Sequence, residues 1–93
     1  MRILLENTEY EVIKDVKDGF DLEELKNKYT EYFYDYDYIV GDWAYGKLRL
    51  KGFYDSKNKK ANKINDYKIV NDYIKNNCAY NCKHFIVKKI YKN

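Results

Sequence analysis

The sequence predicts an α+β domain with two helices on one face of a mostly antiparallel sheet. Three observations carry this. Short segments beginning at Ile3, Tyr10, Tyr36, Leu48 and His84 are rich in aliphatic and aromatic residues, with turn-forming residues between them, as strands are. Two other segments place apolar residues at helical spacing: Leu22, Leu25, Tyr29 and Phe33, then Val70, Tyr73, Ile74 and Cys78. The 93 residues contain no repeat and no linker-like stretch, so residues 1–93 form a single domain. The resulting order, (β)βαββαβ, suits a ferredoxin-like sandwich, whose sheet leaves the face away from its helices open.

Each element has a local reason. Ile3-Leu4-Leu5 and Tyr10 to Val16 are strands joined by a polar turn at residues 6–9. Asp18-Gly19 ends the second. Asp21 is placed to cap the first helix, Glu24 completes a capping-box-like pair, and Phe20 can staple onto Leu25, so a helix is expected to about Tyr34. A hairpin follows. A turn at residues 44–47 with Gly46 free to adopt positive φ sets Trp43 opposite Leu48, Asp42 opposite Arg49, Val40 opposite Lys51 and Tyr38 opposite Phe53. Trp43, Leu48 and Leu50 then share the core face, and Tyr38, Asp42, Arg49, Lys51 and Phe53 share the other. Residues 55–63 form a lysine-rich polar loop, Asn65 is expected to cap the second helix with Ile64 stapled onto Ile69, and His84 to Tyr91 is the last strand.

Composition bounds the function. No apolar run reaches the roughly 18–20 residues of a membrane span, and the first residues lack a signal-peptide apolar region. A cytoplasmic protein is expected, with its two cysteines kept as thiols. The net charge of +3 hides an asymmetry: residues 1–42 carry 12 acids and 5 bases, residues 43–93 carry 13 bases and 3 acids. Either a basic surface meets an anionic partner, or the two halves pair with each other.

The outward face of the hairpin is the candidate binding site: Tyr38, Asp42, Arg49, Lys51 and Phe53. Arg and Lys can neutralise phosphate, and two rings could stack bases at roughly 1–3 kcal/mol each. Lys51-Gly52-Phe53 matches three positions of an RNA-recognition signature, but Tyr54-Asp55 then departs from it. The same residues also read as a cross-strand ion pair and an aromatic pair within a fold. Cys78, Cys82 and His84 are the only metal-ligand candidates. Their spacing lacks the CxxC pairs of structural zinc and a fourth ligand, and Cys78 falls on the apolar helical face, so packing is the expected role and no metal or other cofactor is expected. No nucleophile motif, glycine-rich phosphate loop or readable carboxylate pair marks an enzyme, though active sites need leave no linear motif.

Asp18-Gly19-Phe20-Asp21-Leu22-Glu23, Tyr36 to Trp43 and Leu48 to Tyr54 resemble the YutD-like family, small proteins of low-GC Gram-positive bacteria and their wall-less relatives. The spacing Cys78-x-x-x-Cys82-x-His84-Phe85 is similar to that family's C-terminal cysteine pair, with His84 where an aromatic is expected. The resemblance covers roughly residues 10–90. It implies a cytoplasmic α+β domain and supplies no activity. Two partner classes therefore remain: RNA or a ribonucleoprotein at the basic, aromatic hairpin face, or a protein, including a second copy of this chain. The first predicts binding that weakens steeply with salt.

Overall fold

Residues able to adopt positive φ set where this chain turns, and the apolar runs between them pair into one five-stranded sheet. The computed structural model describes residues 1–77 and 82–91. Glu6 and Asn7 (φ 46° and 73°) turn β1 (Arg2–Leu5) into β2 (Thr8–Val16), and Tyr45 and Gly46 (φ 54° and 76°) turn β3 (Tyr38–Ala44) into β4 (Lys47–Phe53). Two consecutive positive-φ residues match the twist of paired strands, so both hairpins are tight. The β3–β4 register is the expected one throughout, including Asp42 opposite Arg49 and Tyr38 opposite Phe53.

Helix α1 (Leu22–Lys28) starts as its sequence dictates, with the Asp21 carboxylate accepting from the Glu24 backbone N–H at 3.1 Å. It does not run to Tyr34. Tyr29 turns extended, and the chain resumes as a short 3-10 turn at Glu31–Asp35. The break lets the Tyr29 ring meet Tyr10 edge-on at 5.9 Å, with a buried hydroxyl–hydroxyl bond of 3.1 Å. Burial, then this bond, pushes the Tyr10 phenol pKa well up. The second helix also differs at its start. Asp66, not Asn65, accepts from the Lys68 backbone N–H, a 3-10 turn covers Tyr67–Ile69, and α2 (Val70–Asn77) follows. An Asp carboxylate two residues before a free N–H is a strong local cap. Cys78 lies outside the described residues.

β5 (His84–Lys89) completes the sheet, whose order is β1-β2-β5-β3-β4 with every neighbouring pair antiparallel. The α+β class stands, and the finer arrangement is corrected in two respects. A ferredoxin-like order would place β2 beside β4 at the centre; here β5 lies between β2 and β3. The helices also take opposite faces. Leu22 and Leu25 of α1 pack with Ile3, Leu5, Ile39, Leu48, Phe85 and Val87. Val70, Tyr73 and Ile74 of α2 pack with Tyr38, Val40, Phe53 and Ile86. The cause lies in the central strands. Ile39-Val40 and Phe85-Ile86-Val87 are apolar on consecutive positions, so each presents apolar groups to both faces, and both faces need a cover.

The charge asymmetry is partly resolved inside the fold. Lys60 bonds Asp35 at 2.8 Å and Arg49 bonds Asp42 at 2.5 Å, both joining the basic half to the acidic half. The lysine-rich loop is accordingly tied down. Asn58 donates to Asp37, and the Ser56 hydroxyl donates to Asp66. Lys89 is buried, donates to the Tyr34 carbonyl, and sits 4.4 Å from the Tyr34 ring centroid. Removal from water lowers its pKa, opposed by nearby Asp37 and Asp35. No helix among the described residues is long and apolar enough to cross a membrane.

Candidate functional site

The hairpin face singled out from sequence is divided by α2 into a buried part and an exposed edge. Phe53 is 0% exposed and meets Tyr73 edge-on at 5.4 Å. Tyr38 is buried and stacked on Tyr67 at 3.6 Å between centroids. Neither ring has a free side for a nucleobase. Asp42 is 1% exposed, and its Oδ2 takes the Arg49 guanidinium at 2.5 Å. That contact raises the Arg49 pKa. The sheet face expected to be open is therefore closed over three of the five candidate residues. Arg49 and Lys51 remain at its rim.

These two cations border a cleft of about 350 Å³ lined by Tyr32, Phe33, Tyr36, Arg49, Leu50, Lys51, Gly52 and Tyr73. Alternation explains its position. Leu50 and Gly52 point to the α1 face, Arg49 and Lys51 to the α2 face, and a cleft touching both sets runs along the outer edge of β4. β4 is the outermost strand, paired only with β3 over its length. Lys51 Nζ lies 5.1 Å from the Phe53 ring centroid and 5.8 Å from that of Tyr73, both within cation–π range. Arg49 also donates to the Asn77 carbonyl at 2.8 Å, so the end of α2 is fastened to this edge.

The opposite wall comes from the 3-10 turn and the residue after it. Tyr32 and Tyr36 share a hydroxyl–hydroxyl bond of 2.9 Å, which together with burial pushes the Tyr36 phenol up to about 12. Tyr36 lies flat over Gly52, where a Cβ would stand 2.3 Å from the ring. Glycine is required there by this close approach. Gly52→Ala is expected to lift Tyr36 off the strand and cost about 1–3 kcal/mol. Urea unfolding measures the loss, and Tyr36→Ala in the Gly52→Ala background should remove most of the difference between Ala and Gly. Sequence reasoning missed Tyr32, Tyr36 and Tyr73 as cleft residues. The available signal was Gly52 itself, a strand-interior glycine marking close approach of another group.

Of the cysteine and histidine candidates, only Cys82 and His84 lie within the described residues. His84 is buried at the start of β5, with Nδ1 3.0 Å from the Cys82 carbonyl. Since a carbonyl only accepts, this contact places a proton on Nδ1. Cys82 is disulfide-bonded, against the expectation of a thiol, and Cys78 is outside the described residues. No group of three His, Cys, Asp or Glu side chains among the described residues could hold a metal ion. A larger cleft of about 690 Å³ lies beside the β1–β2 turn, between Glu6-Asn7-Thr8 and Tyr29, Glu31, Tyr32 and Tyr34. None of the sequence-derived candidates lines it.

Residues 4–88 match the family model described as "YutD-like: Putative antitoxin YutD-like". The chain belongs to the YutD-like family. It is 44% identical over 90 residues to the "Putative antitoxin YutD" of Bacillus subtilis (strain 168), an alignment covering 97% of this chain and 99% of that protein. The solution NMR structure of protein yutD from B. subtilis superposes with a TM-score of 0.83 at 43% identity, covering 99% of this chain and 84% of the other. The YutD-like fold is thus shared at a level where backbone and sequence agree.

Proposed function

We propose that this YutD-like chain is a non-enzymatic protein-binding module, an antitoxin-type partner of another protein, and that it engages that partner along the outer edge of β4. The observation that supports this best is the closure of α2 over Phe53 and of the 3-10 turn before it over Tyr38. With both rings buried, the Tyr38 and Phe53 pair is not accessible for stacking bases. What stays accessible beside this face is an edge cleft with two cations and three tyrosines, a mixture of Arg and aromatic groups that suits a protein interface. The description of the family and of the B. subtilis relative as a putative antitoxin also favours a protein partner.

Lys51 is the residue to test, because it has no ion pair among the described residues and its reversal leaves Asp42–Arg49 intact. The tagged protein is recovered from its own host and examined by native mass spectrometry. A stoichiometric protein adduct is expected for wild type and is expected to be lost in Lys51→Glu. An adduct retained in Lys51→Glu would move the interface elsewhere. Nuclease-sensitive absorbance at 260 nm that washes off in high salt, without a protein adduct, would return the RNA reading.

A further inference from the structure

From the chemistry of the β4 edge, we infer that the partner contributes an extended acidic segment that adds as a strand, with carboxylates at alternate positions. This rests on the protein-binding reading above and specifies its partner. Lys47, Arg49 and Lys51 occupy alternate positions of β4, so their side chains leave the same face. Among the described residues, neither Lys47 nor Lys51 makes an ion pair. Arg49 spends one guanidinium nitrogen on Asp42 and Asn77 and has further N–H donors available.

The edge already accepts an extended chain one residue beyond β4. Tyr54 donates to the Asn65 carbonyl at 2.7 Å, and Tyr67 donates to the Tyr54 carbonyl at 2.8 Å, forming a parallel bridge with Asp66. That pairing stops at Tyr54, and the cleft begins alongside Arg49 to Gly52. A strand laid along that edge would enter the cleft bordered by Tyr36 on one face of β4 and Tyr73 on the other.

The charge row also says what the occupant is not. Pairing β4 with β4 of a second copy would bring rows of cations together across the ladder, which is destabilising, and edge lysines are a common guard against it. An acidic strand reverses that sign. In strand addition the residues facing Arg49 and Lys51 are two apart, and the residue between them lies beside half-buried Leu50 on the other face. The matching pattern is carboxylate, apolar or aromatic, carboxylate.

The test uses the full chain and capped, fluorescein-labelled peptides read by anisotropy. One peptide carries Glu-Phe-Glu within a threonine- and valine-rich context. A second has the same composition scrambled to Glu-Glu-Phe, and a third carries Lys-Phe-Lys. Expected is binding of the first at least about tenfold tighter than the second, no binding of the third, and new hydrogen-exchange protection of β4 amides in the complex. Lys47→Glu/Lys51→Glu should lose the first peptide by about tenfold or more and gain the third. Equal binding of the scrambled peptide, or binding without β4 protection, overturns strand addition. So does an oligouridylate that binds tightly and displaces the Glu-Phe-Glu peptide, which would make nucleic acid the occupant. If no peptide binds while Lys51→Glu still loses the native protein adduct, strand addition fails and the protein-binding reading survives.

Discussion

Phe53→Ala is expected to lower stability by about 3–5 kcal/mol, without acting as a surface mutation. The ring is 0% exposed, packed with Val40, Val70 and Ile86, and met edge-on by Tyr73. Removing it opens a cavity between the sheet and α2, which a helix fastened at Asn77 by Arg49 cannot readily collapse into. For a domain of this size such a loss corresponds to a melting-temperature drop of roughly 15 °C or more. Phe53→Leu, which keeps most of the volume, should lose only about 1–2 kcal/mol. Urea unfolding followed by Trp43 fluorescence and far-ultraviolet circular dichroism gives both values. A change for Phe53→Ala within about 0.5 kcal/mol would mean that the ring is exposed. It would reopen the stacking platform.

The second large effect is expected at Asp42–Arg49. Arg49→Ala leaves a carboxylate whose side chain is 2% exposed without its cation, and its Oδ1 has no hydrogen-bond partner to compensate. The expected cost is about 3 kcal/mol, because an uncompensated buried charge is worse than no charge. The Arg49 side chain is half exposed, so the penalty arises from the stranded aspartate and not from a strong pair. Asp42→Asn/Arg49→Ala removes the stranded charge and should recover a substantial part of the loss. Lys51→Ala, with only cation–π contacts, should cost less than about 1 kcal/mol. If the double variant is no more stable than Arg49→Ala, the buried-charge account is wrong. For binding work this means that loss of a partner in Arg49→Ala is interpretable only beside a stability measurement.

Residues that act through immediate neighbours were legible in the sequence. Asp21 caps α1, Gly46 turns the β3–β4 hairpin, and the register from Tyr38–Phe53 to Trp43–Leu48 follows from alternation. Local errors had local causes. Helix α1 stops at Lys28 because Tyr29 does better against Tyr10, a residue nineteen positions away. Asp66 outcompetes Asn65 as a cap by reaching the Lys68 N–H. The candidate site was half legible. Arg49 and Lys51 stand at an accessible cleft as their strand positions required, whereas Tyr32, Tyr36 and Tyr73 reach it from segments distant in sequence.

By itself, then, the sequence determined the α+β class, the family, the hairpin register and which residues share each face of β3 and β4. Only the tertiary structure decided what covers those faces. Periodicity states that Val70, Tyr73 and Ile74 form an apolar stripe, but that stripe would be satisfied by either side of the sheet. The choice came from long-range packing. Phe85-Ile86-Val87 inserted at the centre beside Ile39-Val40 and left apolar surface on both faces, so α1 took one and α2 the other. Burial of Tyr38 and Phe53 followed from that, and with it the move of the accessible chemistry from a sheet face to a sheet edge.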